Sequence, residues 1–199
     1  FDGAFILVTR ARKTRTKSMN AFSSIDYPDV ALIRDGRILH YILQGKPPVP
    51  PVFHDKLDAN VFVLRLIPGM NPDVLRPLAN RFDALVIESF GVGGLPCYEQ
   101  ADFLSAASAW SSAGKPIVIT TQVPHEGSDL AVYQVGARVA AQPGILQAYT
   151  MTAEAVVTKL MWILPQTRDL AQIKRLFYTP IACDLLLFEE HGQHTDESN

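Results

Sequence analysis

A carboxylate, a hydroxyl and three glycines stand together in Glu88-Ser-Phe-Gly-Val-Gly-Gly94, directly after the apolar residues 84–87. An apolar run that ends in glycines predicts a buried strand with a sharp turn at its carboxyl end. In an open α/β sheet, ligands bind in the crevice outside the carboxyl ends of the strands. We therefore expect the side chains of Glu88 and Ser89, and the backbone amides of Gly93 and Gly94, to lie at a binding edge.

The glycines of this loop are compatible with a phosphate site or with a plain turn. Glycines let the backbone approach a phosphate at the amino end of a helix. The loop nevertheless lacks a Gly-x-Gly-x-x-Gly pattern, and Pro96 stands where a helix should begin to donate its amides. A tight strand-to-helix turn without any ligand therefore remains open beside the binding interpretation.

A serine hydrolase is a further interpretation of the same loop. Ser89 has the following glycine of a nucleophile elbow, and an acid, Asp129 or Asp184, and then His191 follow in chain order. Against this interpretation, the β-branched Ile87 replaces the first glycine of the elbow, where the turn is crowded. His191 also lies in a polar C-terminal tail, and such tails are usually disordered.

Apolar runs alternate with helical patterns from residue 61 onward, which predicts right-handed crossovers and a parallel sheet. The expected fold is an α/β, three-layer Rossmann-like or flavodoxin-like domain with a four-stranded parallel sheet. The predicted strands are residues 61–67, 84–88, 116–121 and 145–148. The predicted helices begin at Asn71-Pro72, span about 99–112 and 131–141, follow a Thr152 cap, and begin near Asp169.

The first part of the chain has a different pattern. A short strand near residues 4–8 is followed by a hairpin over residues 30–43, because Asp35-Gly36 suits a tight turn between two apolar runs. The proline-rich residues 45–51 then predict an extended linker. We expect four regions: the end of an N-terminal domain at 1–28, a hairpin and linker at 29–60, a C-terminal domain at 61–188 and a polar tail at 189–199.

Composition and charge exclude several classes of protein. The 199 residues are 48% hydrophobic and 19% charged with a net charge of −2, which fits a globular α/β protein without the basic field expected for nucleic-acid or membrane-surface binding. One basic run, residues 10–17, could contact phosphate, although solvated or ion-paired roles are commoner. Cys97 and Cys183 form no Cys-x-x-Cys pair, and His54 and His125 lack further ligands at metal spacing, so neither a disulfide framework nor a metal site is expected.

Several separate segments together resemble one known family, the type I, cytoplasmic L-asparaginases. The resemblance covers nearly the whole chain except the proline linker and the tail. The matching segments are Phe1-Asp-Gly3, Thr9-Arg-Ala11, Asn20-Ala-Phe22, Ser23-Ser-Ile-Asp-Tyr-Pro28, Glu88-Ser-Phe-Gly-Val-Gly-Gly-Leu-Pro96, Thr120-Thr-Gln122, Gly127-Ser-Asp-Leu-Ala-Val-Tyr-Gln-Val-Gly136, Met151-Thr-Ala-Glu154 and Thr158-Lys-Leu-Met-Trp162.

The resemblance implies hydrolysis of L-asparagine to L-aspartate and ammonia, without a cofactor, in a cytoplasmic homodimer or tetramer. The family attacks the amide with a Thr hydroxyl from an N-terminal Thr-Gly-Gly-Thr segment, and that segment does not occur in residues 1–199. We therefore expect this chain to be an inactive fragment that provides a subunit interface and completes a neighbouring active site. A stand-alone binding or assembly module remains the alternative.

The same resemblance implies which residues line the substrate or the subunit interface. The expected set is Glu88, Ser89, Gly93, Gly94, Gln122, Glu126 and Asp129, with no catalytic residue among them. A carboxylate such as Asp129 would meet the α-ammonium group of the substrate, since an opposite charge in a partly buried pocket is the usual recognition device. Capping of the following helix is an equally good role for Asp129.

Overall fold

In the computed structural model, residues 1–43, 45, 50–98, 101–132 and 144–186 are described. The first part of the chain forms two small antiparallel sheets. Strand β1 pairs with β4 and β4 with β5, whereas β2 pairs with β3. The strands are β1 (Ala4–Phe5), β2 (Ala11–Lys13), β3 (Phe22–Ser24), β4 (Ala31–Arg34) and β5 (Arg37–His40).

The predicted hairpin is confirmed as β4 and β5. Asp35 and Gly36 both have positive φ angles, 50° and 70°, which is the geometry that a two-residue turn between twisted strands requires. The predicted first strand is shorter than expected, because the chain leaves β1 after Phe5 and forms a 3-10 turn over Val8–Arg10.

The second part of the chain is a parallel sheet covered by helices. Its elements are β6 (Val61–Arg65), α1 (Leu75–Ala79), β7 (Ala84–Ser89), β8 (Cys97–Tyr98), β9 (Ala101–Asp102), α2 (Phe103–Ser112), β10 (Ile117–Thr121), β11 (Ile145–Gln147), α3 (Ala153–Ile163) and α4 (Leu170–Phe177). The sheet order is β11-β10-β7-β6, and each neighbouring pair is parallel. The predicted α/β fold with four parallel strands is therefore confirmed.

Two hydrophobic clusters on opposite faces of the sheet produce the three layers. Side chains alternate along β7, so that Leu85 and Ile87 pack with residues of α1 and α2, whereas Ala84 and Val86 pack with residues of α3 and α4. All six residues of β7 are buried, as expected for a central strand covered on both faces.

Side-chain caps fix the starts of the helices. Asn71 accepts a hydrogen bond from the Asp73 amide, and Pro72 follows it at the start of the first turn. The helix that continues from this turn, α1, contains Pro77 and is only 5 residues long. Thr152 caps α3, as the sequence predicts, and Asp169 caps α4, which begins where the sequence predicts a helix start. These caps place the last two helices against β11 and the central strands.

Some boundaries differ from the predicted ones. The helix expected from residue 99 begins at Phe103, because β8 pairs antiparallel with β9 and Asp102 then caps α2. Only the 3-10 turn Leu130–Val132 is described where a helix over 131–141 is predicted, and the rest of that helix, most of the proline linker and the tail with His191 lie outside the described residues. Among the described helices, none is long and apolar enough to cross a membrane.

Candidate functional site

Strands β7 and β10 end side by side, which brings the loops that follow them together. Glu88 pairs with Thr120 and Ser89 with Thr121 in the parallel register. The backbone amide of Asp129 donates a hydrogen bond of 2.6 Å to the carbonyl of Val92, so the two loops are directly joined. All seven predicted site residues therefore lie at or next to the carboxyl end of the parallel strands.

Glu88 and Ser89 are the last two residues of β7 and are both buried. The Glu88 carboxylate lies 3.8 Å from the guanidinium of Arg65, the last residue of β6. The Ser89 hydroxyl donates to the Thr120 carbonyl at 2.6 Å and is inaccessible to solvent. The Ser89 side chain therefore links the ends of β7 and β10. This geometry does not favour a nucleophilic role.

Gln122 ties together the loops after β6 and β7. Its Nε2 donates to the carbonyl of Leu66 at 2.7 Å and to the carbonyl of Glu88 at 3.0 Å. Its backbone amide also donates to the Ser89 carbonyl at 3.1 Å. Gln122 thus joins three chain segments at the carboxyl end of the strands, next to the loop that carries Glu126 and Asp129.

Gly93 is required where the two loops pack together. Its φ angle is 122°, and a Cβ atom there would lie 3.0 Å from the Leu130 side chain. Gly94 closes the turn by donating its amide to the Phe90 carbonyl at 2.9 Å. The glycine cluster therefore serves close packing against residues 128–130, and its role in binding a ligand stays a prediction.

Glu126 and Asp129 are the exposed carboxylates of the candidate site. Asp129 accepts a hydrogen bond of 2.9 Å from the Ala131 amide, which caps the turn Leu130–Val132 through one carboxylate oxygen. Glu126 has a φ angle of 74°, a conformation that residues with a side chain rarely adopt. Both side chains extend from a loop whose backbone is held on several sides.

Residues behind the loop complete its support. The Gln147 side-chain Nε2 donates to the Ser128 carbonyl at 2.5 Å, and the Gln147 backbone amide donates to the Tyr178 hydroxyl at 2.9 Å. Burial raises the pKa of Tyr178 to about 12, because the phenolate form would lose its hydration there. This chain of contacts connects Tyr178, at the end of α4, through β11 to the candidate site.

Arg10 is a structural residue that the sequence analysis missed. It belongs to the predicted basic run, yet it is fully buried and donates to the carbonyls of Thr150 at 2.7 Å and Cys183 at 2.6 Å. Lys13 and Lys17 of the same run are exposed. Nothing in the local pattern separates Arg10 from its basic neighbours, because its partners lie 140 and 173 residues away.

A buried ion pair lies beside Arg10. The Lys159 Nζ atom lies 2.7 Å from a carboxylate oxygen of Asp184, and the two side chains are only 3% and 4% exposed. Burial lowers the pKa values of both Lys159 and Arg10, while the charge of Asp184 acts in the opposite direction. Within the described ranges, no group of three or more His, Cys, Asp or Glu side chains is arranged to hold a metal ion.

Comparisons with known proteins agree with the resemblance. The family model described as the glutaminase/asparaginase C-terminal domain matches residues 60–177. An L-asparaginase from Thermococcus kodakarensis is 40% identical over 93% of this chain and 56% of its own length. A glutamyl-tRNA(Gln) amidotransferase subunit of the same organism is 29% identical over 89% of this chain and 40% of its own length.

Solved structures give the same result. The thermostable L-asparaginase from Thermococcus kodakarensis superposes with a TM-score of 0.87 at 38% identity, over 94% of this chain and 56% of that structure. L-asparaginase I from Vibrio cholerae has a TM-score of 0.81 at 22% identity, over the same shares of the two chains, which shows a shared fold. The chain thus spans about half the length of the L-asparaginases that it matches.

Proposed function

Because this chain belongs to the glutaminase/asparaginase family, we propose that it is the C-terminal part of an L-asparaginase. The proposed overall reaction is L-asparagine plus water to L-aspartate plus ammonia. The 40% identity to an L-asparaginase supports asparagine as the substrate, compared with 29% to a glutamyl-tRNA(Gln) amidotransferase subunit. The family relationship also favours an amidohydrolase over a stand-alone binding module.

In the reaction implied by the family, a Thr hydroxyl attacks the side-chain amide carbon and forms an ester. The C–N bond breaks, and the nitrogen leaves as ammonia after it receives the proton that the hydroxyl loses. Water then cleaves the resulting ester and releases aspartate. Residues 1–199 contain no Thr-Gly-Gly-Thr segment to supply that hydroxyl. We therefore propose that these residues do not hydrolyse asparagine by themselves and that they complete the active site of a neighbouring subunit.

The contribution of this chain is recognition of the substrate's α-ammonium group by the exposed carboxylates of Glu126 and Asp129. The observation that carries this proposal is the set of hydrogen bonds that holds their loop: Gln122 joins the loops after β6 and β7, and the backbone amide of Asp129 joins the loops after β7 and β10. A carboxylate held in place binds an ammonium group without a large ordering cost.

The proposed assembly is a homodimer or tetramer in the cytoplasm. The resemblance to type I asparaginases supports both the oligomer and the location. Cys97 and Cys183 are free thiols, which agrees with a reducing compartment.

Replacing Asp129 by Asn tests the proposed recognition directly. An Asn side chain keeps an oxygen that can accept the Ala131 hydrogen bond, so the cap remains while the negative charge is lost. We expect Asp129→Asn to weaken L-asparagine binding about tenfold, or about 1.4 kcal/mol, with little change in melting temperature. Binding would be followed by NMR titration of the purified chain.

Asp169→Asn is the matched control, because Asp169 caps α4 through the same kind of hydrogen bond, at 2.9 Å, outside the candidate site. Succinamate, which lacks the α-ammonium group of asparagine, is the matched ligand. It should bind both variants equally weakly. Equal asparagine affinity in Asp129→Asn and Asp169→Asn would reduce Asp129 to a helix cap.

A further inference from the structure

Asp26 holds the candidate binding loop from a distant part of the chain. One carboxylate oxygen lies 3.0 Å from His125 Nδ1, and the other accepts a hydrogen bond of 2.9 Å from the Glu126 amide. The contacts join residues 99 and 100 positions apart in sequence. A single side chain thus contacts two adjacent residues of the loop, immediately before Gly127.

Both ends of this contact have positive φ angles, 49° at Asp26 and 74° at Glu126. Asp adopts this left-handed region more readily than most residues, whereas it costs a residue such as Glu126 about 1–2 kcal/mol. Such strain persists only where surrounding contacts outweigh it, and it concentrates at functional sites. The two hydrogen bonds from Asp26 are contacts of that kind.

Each partner of the contact is anchored to the body of the protein. The turn that carries Asp26 is fixed by Ile25, whose amide donates to the carbonyl of the buried Arg10 at 2.9 Å. On the other side, the Ser128 amide donates to the Tyr149 carbonyl at 2.9 Å. Glu126 therefore lies between two anchored residues, Asp26 and Ser128. The hydrogen bond from its backbone amide to Asp26 orients the peptide group that precedes Glu126.

We propose that Asp26 is a positioning residue for Glu126, which it holds so that the Glu126 carboxylate meets the ammonium group of an amino-acid ligand. This inference rests on the proposed function, because it assumes that Glu126 contacts the ligand. Asp26 itself touches only the loop. Its contact with His125 also places a proton on Nδ1, because a carboxylate oxygen at that distance requires a donor.

Asp26→Gly removes the carboxylate but keeps the backbone conformation, since Gly tolerates a positive φ angle. Asp35→Gly is a matched control, because Asp35 has a φ angle of 50° and is an exposed turn residue. In the ligand-free chain, we expect hydrogen exchange of the Glu126 amide to accelerate at least tenfold in Asp26→Gly and to remain unchanged in Asp35→Gly. Unchanged exchange in both variants would overturn the proposed contact.

L-asparagine titration of the same proteins tests the positioning role. We expect Asp26→Gly to weaken binding about tenfold, Asp35→Gly to bind like the parent chain, and Asp26→Asn to recover most of the affinity, because its oxygen can still accept the Glu126 hydrogen bond. The recovery separates positioning from a loss of charge. If the parent chain binds asparagine and Asp26→Gly binds equally well, the positioning role is wrong although the proposed function stands.

Absence of binding by the parent chain would instead contradict the proposed recognition of the ammonium group by Glu126 and Asp129, and the positioning role with it. The exchange measurement would then assign the Asp26 contact to loop structure alone. The two failures are therefore distinguishable from the same set of purified proteins.

Discussion

Asp184→Ala is expected to lower the free energy of unfolding by about 3–5 kcal/mol, the usual cost of removing one partner of a buried ion pair. The substitution leaves Lys159 with its charge in a site where the side chain is 3% exposed. It also removes a compensating negative charge from Arg10, which is fully buried. Because Asp184 raises the pKa of Lys159 against the effect of burial, its loss should lower that pKa further.

The double variant Lys159→Met with Asp184→Leu is the control for this prediction. Replacing both charges of a buried pair by apolar groups of similar volume is often neutral. In the double variant only Arg10 loses a compensating charge, whereas Asp184→Ala leaves Lys159 uncompensated as well. Urea unfolding of the single and double variants should therefore show that the double variant is the more stable of the two. A double variant as unstable as Asp184→Ala would contradict the assignment of this cost to an unpaired charge.

Gly127→Ala is expected to destabilise the protein by about 3 kcal/mol and to weaken asparagine binding. Gly127 has a φ angle of 70°, which costs Ala about 1–2 kcal/mol. In addition, the new Cβ atom would overlap with the carbonyl oxygen of Tyr149, so the loop that carries Glu126 must move. Overpacking of this kind adds about 1–3 kcal/mol.

Gly36→Ala separates the two effects, because Gly36 has the same φ angle of 70° and a methyl group added there would meet open space, with nothing within 4 Å of its carbon. We expect Gly36→Ala to show the backbone cost alone, about 1–2 kcal/mol, with unchanged asparagine binding. Thermal unfolding and NMR titration measure both quantities. Equal destabilisation by the two substitutions would show that the loop adapts to the extra methyl group.

The location of the candidate site follows from local patterns. The apolar run before Glu88 predicts a strand, the glycines after it predict a turn, and the alternation of elements predicts that neighbouring strands end at one edge. Each of these inferences concerns residues that are close in sequence. The caps by Thr152 and Asp169 are predictable for the same reason, since a cap bonds to amides 3 residues away.

The supports of the site are not predictable in this way, because their partners are distant in sequence. Asp26 resembles an ordinary turn residue, and Arg10 resembles its exposed basic neighbours. Lys159 lies among apolar residues on the buried face of α3, where a lysine is unfavourable until Asp184 is placed beside it.

Asparagine hydrolysis by mixtures of separately purified parts tests whether this chain completes an L-asparaginase active site. This chain would be assayed alone and then together with the N-terminal part of the Thermococcus kodakarensis L-asparaginase, which is itself assayed alone. We expect ammonia release only in the mixture, with a higher KM when this chain carries Asp129→Asn. Hydrolysis by this chain alone, or no hydrolysis by a mixture in which the two parts are shown to be folded and associated, would contradict this expectation.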